Sequence, residues 1–432
     1  MRILLTVIGL AALLGAATLA APEPGGQPGA SVEASIDPVR QPVVCPGPLE
    51  VPVGAIVSGD EDLDSGSSDV TRETLPSGEA LGDGTAVDAT QAVTVERVAS
   101  GDIAGLAGAA CTAPARDQWL VGGSTALGSS ARLVLSNPTG SAVRARIEIH
   151  GAVGLVEDDR SVLLGPGAQE TLLLESVTPE LPALAVHVVA QGVGVSAALQ
   201  DSRLDGFTAA GTDWVSPSAP ATELVIPVAG PSAEEAVATL SLLAPDGADA
   251  TLTLLGEEGP LPWLGDERLA LEPGVLTDLQ VPVVGLAAVR IEASDPVVAG
   301  ALVRVARDAA VLEGAVALDQ AWTGGQDAAD ARARAAVVPD GDVTLVVASA
   351  AAGTFTVDAG GHTLTVDVAE DGVASLPLDL EPGTVLTSSA PFAWALVLAD
   401  PEAGFVTTIE PVSTELEATV LEAAVAPYSP AP

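Results

Sequence analysis

The stretch Arg132-Leu133-Val134-Leu135-Ser136-Asn137-Pro138-Thr139-Gly140, followed closely by Arg144-Ala145-Arg146-Ile147-Glu148-Ile149-His150, decides the fold. In the second half Ala145, Ile147 and Ile149 fall on one side of an extended chain. Arg144, Arg146, Glu148 and His150 fall on the other, which is the period-two pattern of a half-buried strand. Asn-Pro-Thr-Gly is turn chemistry, since Pro presets φ and Gly and Asn tolerate the conformations a reversal needs. A second turn follows at Pro166-Gly167. The same punctuation then returns 107 residues on, from Pro138 to Pro245 and from Gly167 to Gly274, and Trp322 lies 108 residues beyond Trp214. Turns and a lone aromatic that recur at one period indicate a duplicated unit of domain size.

Working outward, Ala185–Ala190 and Val193–Leu199 read as further strands of the first unit. Thr251-Leu252-Thr253-Leu254 repeats the alternation in the second. A third, reduced copy is marked by Thr363 to Val368, the turn Asp371-Gly372 and Pro391. Short strands between regular turn signals, in units near 100 residues, predict an all-β chain of tandem immunoglobulin- or fibronectin-like β-sandwich repeats. With 45 Gly and 33 Pro and only 2% aromatics, the cores must be built from Val, Leu, Ile and Ala, which suits thin sandwiches. Three of them in line imply an elongated rod.

Residues 1–21 begin Met1-Arg2 and then run uncharged and apolar, as an export signal does. They fit a cleaved signal peptide or a retained membrane anchor equally well, because about 20 apolar residues span a bilayer. Either way the bulk of the chain is expected outside the membrane. Residues 22–42 read as a linker, 43–118 as a small N-terminal unit, 119–220, 221–325 and 326–415 as the three repeats, and 416–432 as a tail.

Charge narrows the partners. There are 58 acidic residues against 16 basic ones, all of them Arg, for a net charge of −42. Nucleic acid and anionic lipid are both repelled by such a surface. The membrane is therefore a partner only through the N-terminal segment, and an envelope protein or a glycan is the expected ligand. Two cysteines are present, Cys45 and Cys111. In an exported chain an even pair predicts one disulfide, with two buried free thiols as the alternative. A zinc site lacks its other ligands.

No nucleophile elbow, metalloprotease helix, phosphate loop or dinucleotide fingerprint occurs. No catalytic residue, cofactor site or metal ligand is assigned. Of the three His, His150 is expected on a solvated face, His187 half-buried in a strand and His362 in a turn, with no site shared among them. Carboxylate pairs such as Asp158-Asp159 could serve glycoside hydrolysis, but 58 carboxylates produce such pairs by chance. Asp60 to Gly66 spaces its acids like the start of a calcium loop, yet Ser65 and Thr71 stand where an EF-hand needs Gly and Glu. A solvated acidic loop is the competing expectation. Trp119, Trp214 and Trp322 stand at unit ends, where they either pack between units or stack on sugars.

The export segment, Cys45-Pro46, the Ser136–Gly140 turn, Leu181-Pro182-Ala183-Leu184-Ala185-Val186-His187-Val188 and Val195-Ser196-Ala197-Ala198-Leu199 together resemble the uncharacterised actinobacterial family DUF5719. The resemblance covers nearly all of the chain after residue 21. It implies an exported or membrane-anchored envelope protein and carries over no catalytic residues. The expected function is a noncatalytic scaffold or binding rod at the outer face of the membrane. An array of glycan-binding modules and a hydrolase are the alternatives.

Overall fold

A computed structural model describes residues 31–36, 41–50, 70–74, 76–88, 91–206, 208–228, 237–263, 268–282, 286–307, 317–414 and 419–424. Among the described residues the regular structure is β-strand, with two single-turn 3-10 segments at Gly101–Ile103 and Leu174–Ser176. Residues 1–21 and the Asp60–Gly66 loop lie outside the described residues. Among the described residues no helix is long and apolar enough to cross a membrane.

The first sandwich has eight strands, Asp117–Val121, Ser129–Ser136, Val143–Gly151, Gly154–Leu164, Gln169–Leu173, Ala185–Ala190, Ser196–Asp205 and Thr208–Val215. One sheet holds them in the order fourth, third, sixth, first, and the other in the order fifth, second, seventh, eighth, all antiparallel. The alternating strand behaves as its sequence predicts. Ala145, Ile147 and Ile149 are fully buried and meet Leu133, Leu135, Val186, Ala197 and Leu199 from both sheets in one core.

The same pairing recurs twice. In the second sandwich the sixth and seventh strands are one continuous element, Ala287–Arg307. Its first half pairs with Ala221–Val228 and Ala248–Gly256, and its second half with Val237–Leu243 and Ala317–Gly324. It crosses between sheets at Asp295-Pro296, where Pro supplies no amide to a ladder. The third copy, from Arg334–Val337 to Phe405–Ile409, has shorter strands and loops but keeps all eight positions and both sheet orders. Asp371 and Gly372 make its turn between the fourth and fifth strands, as the spacing predicts.

Before the sandwiches, Val43–Cys45, Glu79–Leu81 and Gly84–Val87 form one small sheet. Val70–Thr74, Thr94–Ala99 and Gly105–Ala110 form another. Cys45 and Cys111 are disulfide-bonded, at a Cα–Cα distance of 4.2 Å. The bond joins the first small sheet to the end of the second, and its sulfurs pack with Leu49, Ile103, Val134 and Trp214.

The expected rod is corrected. Residues 40–415 form one compact unit in which every sandwich touches the other two and the small N-terminal sheets. A separate unit contains Ser31–Ile36 paired antiparallel with Thr419–Ala424, two segments that sequence assigns to linker and tail.

Candidate functional site

In each sandwich the eighth strand is a sheet edge, so one row of its backbone amides and carbonyls lacks a ladder partner. The edges Thr208–Val215, Ala317–Gly324 and Phe405–Ile409 run against one another and against a fourth edge, Gly105–Ala110. Buried edge amides need acceptors, because an unsatisfied one costs about 1–3 kcal/mol. Carboxylates supply them.

Asp213, fully buried in the first sandwich, accepts from the Trp322 amide of the second at 2.8 Å. It also accepts from the Thr407 hydroxyl of the third at 2.9 Å and from the Gly108 amide at 3.3 Å. Asp319, equally buried in the second sandwich, accepts from the Val406 amide at 2.8 Å and the Leu106 amide at 3.4 Å. Asp201 accepts from Arg203 Nε at 2.9 Å, Trp322 Nε1 at 3.0 Å and Gln320 Nε2 at 3.2 Å. Three acids thus tie four chain regions together. Gly211 allows the closest approach. Its φ is +101°, and a Cβ there would stand 2.6 Å from the Gln320 nitrogen.

Burial raises the Asp213 carboxyl well above its usual range, and the nearby Asp319 charge raises it further. The Trp322 and Trp214 amides and the Thr407 hydroxyl pull it partly back. Burial likewise raises Asp319 well above its usual range, opposed by the Val406 amide and the attraction of Arg307. When protonated, Asp213 can donate a hydrogen bond to Thr407 Oγ1 in place of accepting one from it. The donors to these acids are amides, an indole, a guanidinium and a hydroxyl, while Asp201 Oδ1 and Asp319 Oδ1 are buried with no hydrogen-bond partner among the described residues.

A second constellation lies where the first sandwich meets the second. The Trp119 indole stacks on the His187 ring, with centroids 4.1 Å apart and an interplanar angle of 7°, and contacts His150 at 5.2 Å. His187 presents Nδ1 to Glu148 Oε2 at 2.8 Å and Nε2 to Asp117 Oδ1 at 3.0 Å. His150 corrects the expectation of a solvated residue: it is 6% exposed, and its Nδ1 donates to the Gly274 carbonyl at 2.9 Å. Its Nε2 has no partner. Burial lowers its pKa, the Gly274 carbonyl raises it, and His187 lowers it again. His150 and His187, for which the sequence predicts no shared metal or triad, both lie against the Trp119 indole. Alternation alone misled here. Arg144, Arg146, Glu148 and His150 do share the outer face, but the second sandwich covers its far end.

His187 resembles the hub of a catalytic group, yet both ring nitrogens are taken by carboxylates. Neither is left to activate a hydroxyl or thiol nucleophile. His362 is exposed at a hairpin turn, as expected. Asp158 and Asp159 lie on the fourth strand of the first sandwich, and their side chains are outside the described residues. Among the described residues no group of three His, Cys, Asp or Glu is arranged to hold a metal. All five Trp are buried. Trp214 packs on the disulfide cluster and Trp322 in the first sandwich's core, the packing role between units.

Sequence reasoning missed Asp201, Asp213 and Asp319. A signal was present. Thr208-Ala209-Ala210-Gly211-Thr212-Asp213-Trp214-Val215 sets an acid in an otherwise uncharged strand, and Asp319-Gln320-Ala321-Trp322 sets another three residues before the equivalent Trp. An acid in a strand that is buried along its whole length is worth explaining.

No curated protein and no solved structure matches the chain. A family model does, described as a family of unknown function (DUF5719), over residues 65–381. That span holds Cys111, all three seam acids and both His of the Trp119 cluster. With most of its length matched, the chain belongs to the DUF5719 family.

Proposed function

We propose that the chain is a noncatalytic extracytoplasmic envelope protein, a scaffold or binding body presented at the outer face of the membrane by its N-terminal segment. The observation that supports this most is how the buried acids are used. Asp201, Asp213 and Asp319 accept hydrogen bonds from amide, indole, guanidinium and hydroxyl groups of neighbouring strands. The polar interior joins three sandwiches and a disulfide-closed unit into one compact unit. A compact unit in a highly charged chain suits presentation of surfaces to other molecules. The reading of glycan-binding modules needs exposed indoles for stacking, and the five Trp are buried.

The test has two arms. Cells are fractionated with an antibody to the native chain, and the purified protein is assayed against cell-wall glycans and peptides. Envelope location without turnover is expected. A purely cytoplasmic location, or turnover abolished by His187→Ala, overturns the proposal.

A further inference from the structure

Three copies of one fold allow the same sheet edge to be compared three times. The fourth strand ends its sheet in every sandwich. An edge left open is a template for another strand, and proteins guard such edges with charge, bulges, prolines or short strands. Two of the copies are guarded. In the first sandwich Glu157-Asp158-Asp159-Arg160 occupy the middle of the strand, and a bulge breaks its register there. In the second the strand is split into Gly259–Leu261 and Arg268–Leu271, with Pro260 inside the first piece and Pro262 just after it. The third copy differs. His362–Val368 is continuous, holds no Pro, pairs with Gly353–Ala359 without a register shift, and carries a single acid, Asp367.

Hairpin register fixes which backbone groups this edge offers. The chain turns through Gly360 and Gly361, at φ +64° and +93°, so Ala359 and His362 exchange backbone hydrogen bonds. Bonding then alternates along the strand. His362, Leu364, Val366 and Val368 direct their amides and carbonyls to the third strand. Thr363, Thr365 and Asp367 direct theirs away from the sheet, and all three residues are exposed. Side chains alternate as well. Leu364, Val366 and Val368 lie on the core side, and Thr363, Thr365 and Asp367 lie on the outer face.

We infer that the third sandwich joins a second copy of the chain edge to edge, His362–Val368 pairing antiparallel with itself about a two-fold axis at Thr365. The strand is its own complement in that register. Thr365 faces its counterpart, and Thr363 faces Asp367 on either side, each pair exchanging both its N–H···O bonds. Leu364 meets Val366 on the core side, so the apolar row of one sandwich runs on into the next. The strand's one acid meets a threonine and not its own copy, which leaves no like charges opposite each other. Other registers lose this. An axis at Asp367 sets acid against acid, and an axis at Thr363 runs the partner into the Gly360-Gly361 turn. The 7 residues at about 3.4 Å each make a contact about 24 Å long and one strand wide. That falls short of a standard interface and places the dimer in the weak class, with Kd on the order of 100 µM.

The net charge of −42 adds a salt dependence. Two such molecules repel through a Debye length of about 30 Å in 10 mM salt and about 8 Å in 150 mM salt. Pairing through main-chain bonds therefore strengthens as salt rises over that range.

Sedimentation equilibrium of the full chain, at up to about 300 µM and at both salt levels, tests the inference. A dimer is expected that is more populated at the higher salt. Thr365→Pro removes an amide that the chain's own ladder does not use, and it is expected to weaken the dimer at least about tenfold. Two further variants change the net charge equally and differ only in register. Thr365→Lys sets like charges face to face and is expected to weaken the dimer about threefold, whereas Thr363→Lys meets Asp367 and is expected to strengthen it. Circular dichroism of the three variants checks that they fold. A dimer that survives Thr365→Pro in the folded variant, or one weakened as much by Thr363→Lys as by Thr365→Lys, overturns the inference. So does a chain monomeric throughout, the result expected if the edge takes a foreign strand in place of a second copy.

Discussion

The seam of edge strands and the contact around Trp119 join the same sandwiches by opposite means. At the seam, four strand edges meet, and each brings buried amides that no ladder satisfies. Asp213 and Asp319 serve as acceptors there, accepting from Trp322, Gly108, Val406 and Leu106. At the Trp119 contact, Trp119 and Val121 of one sandwich pack on Leu243, Leu276 and Val298 of the other. Gly300 removes the side chain that would strike the Val121 carbonyl, since a Cβ there would stand 2.1 Å from that oxygen. This contact needs shape and apolar area, with one polar link from His150. Edges need acceptors and faces need packing, so one protein uses buried acids in one place and aromatics in another.

The largest effect is expected from removing an acceptor at the seam. Asp213→Ala leaves the Trp322 and Gly108 amides and the Thr407 hydroxyl without their common partner. The loss should be about 3–5 kcal/mol in urea unfolding. Asp213→Asn should be milder, because its oxygen can still accept from the Trp322 amide while its nitrogen donates to Thr407 Oγ1. Trp119→Ala strikes the other contact and should cost about 3 kcal/mol by lost burial. Equal costs for Asp213→Ala and a surface acid such as Asp246→Ala would break the comparison.

pH sharpens the contrast because the two regions respond with opposite sign. The folded His150 pKa lies below the ordinary 6.5, so the unfolded chain binds the proton more readily. The stability this group contributes is full above pH 6.5 and is lost as pH falls through the lower folded value. Asp213 and Asp319 are raised, so their contribution is full below the ordinary carboxylate range and is lost as pH rises through their folded values. Amide exchange near Trp119 should therefore quicken on acidification from neutral pH, and His150→Gln should remove that response. Exchange at the Val406 amide should quicken toward higher pH instead. The same pH response at both places would refute the assignment.

The smallest effect is expected from Thr407→Val. It removes one hydroxyl donor from Asp213 and the nearer acceptor of the Gly108 amide, at 2.9 Å, but that amide keeps Asp213 at 3.3 Å and the Trp322 amide is untouched. A loss of about 1 kcal/mol in thermal unfolding is expected. A loss as large as that of Asp213→Ala would show that the hydroxyl, not the amides, holds the seam.

The amino-acid sequence by itself determined the class, the repeat and the disulfide. Alternation at Arg144–His150 and turns at Pro138, Gly167, Pro245 and Gly274 are local signals, set by side-chain period and backbone φ, and they survive in any surroundings. The pair Cys45 and Cys111 left only one intramolecular partner for each thiol. Tertiary structure alone decided that the three copies close on one another instead of forming a rod, that His150 is covered, and that Asp213 and Asp319 bridge sandwiches. Those facts depend on contacts between residues such as Gly108 and Thr407, at a hydrogen-bond distance of 2.9 Å but far apart along the chain. Period-two patterning tells which side of a strand faces its own sheet's core. It is blind to whether another domain covers the other side, and to which edge amides will be waiting for an acceptor.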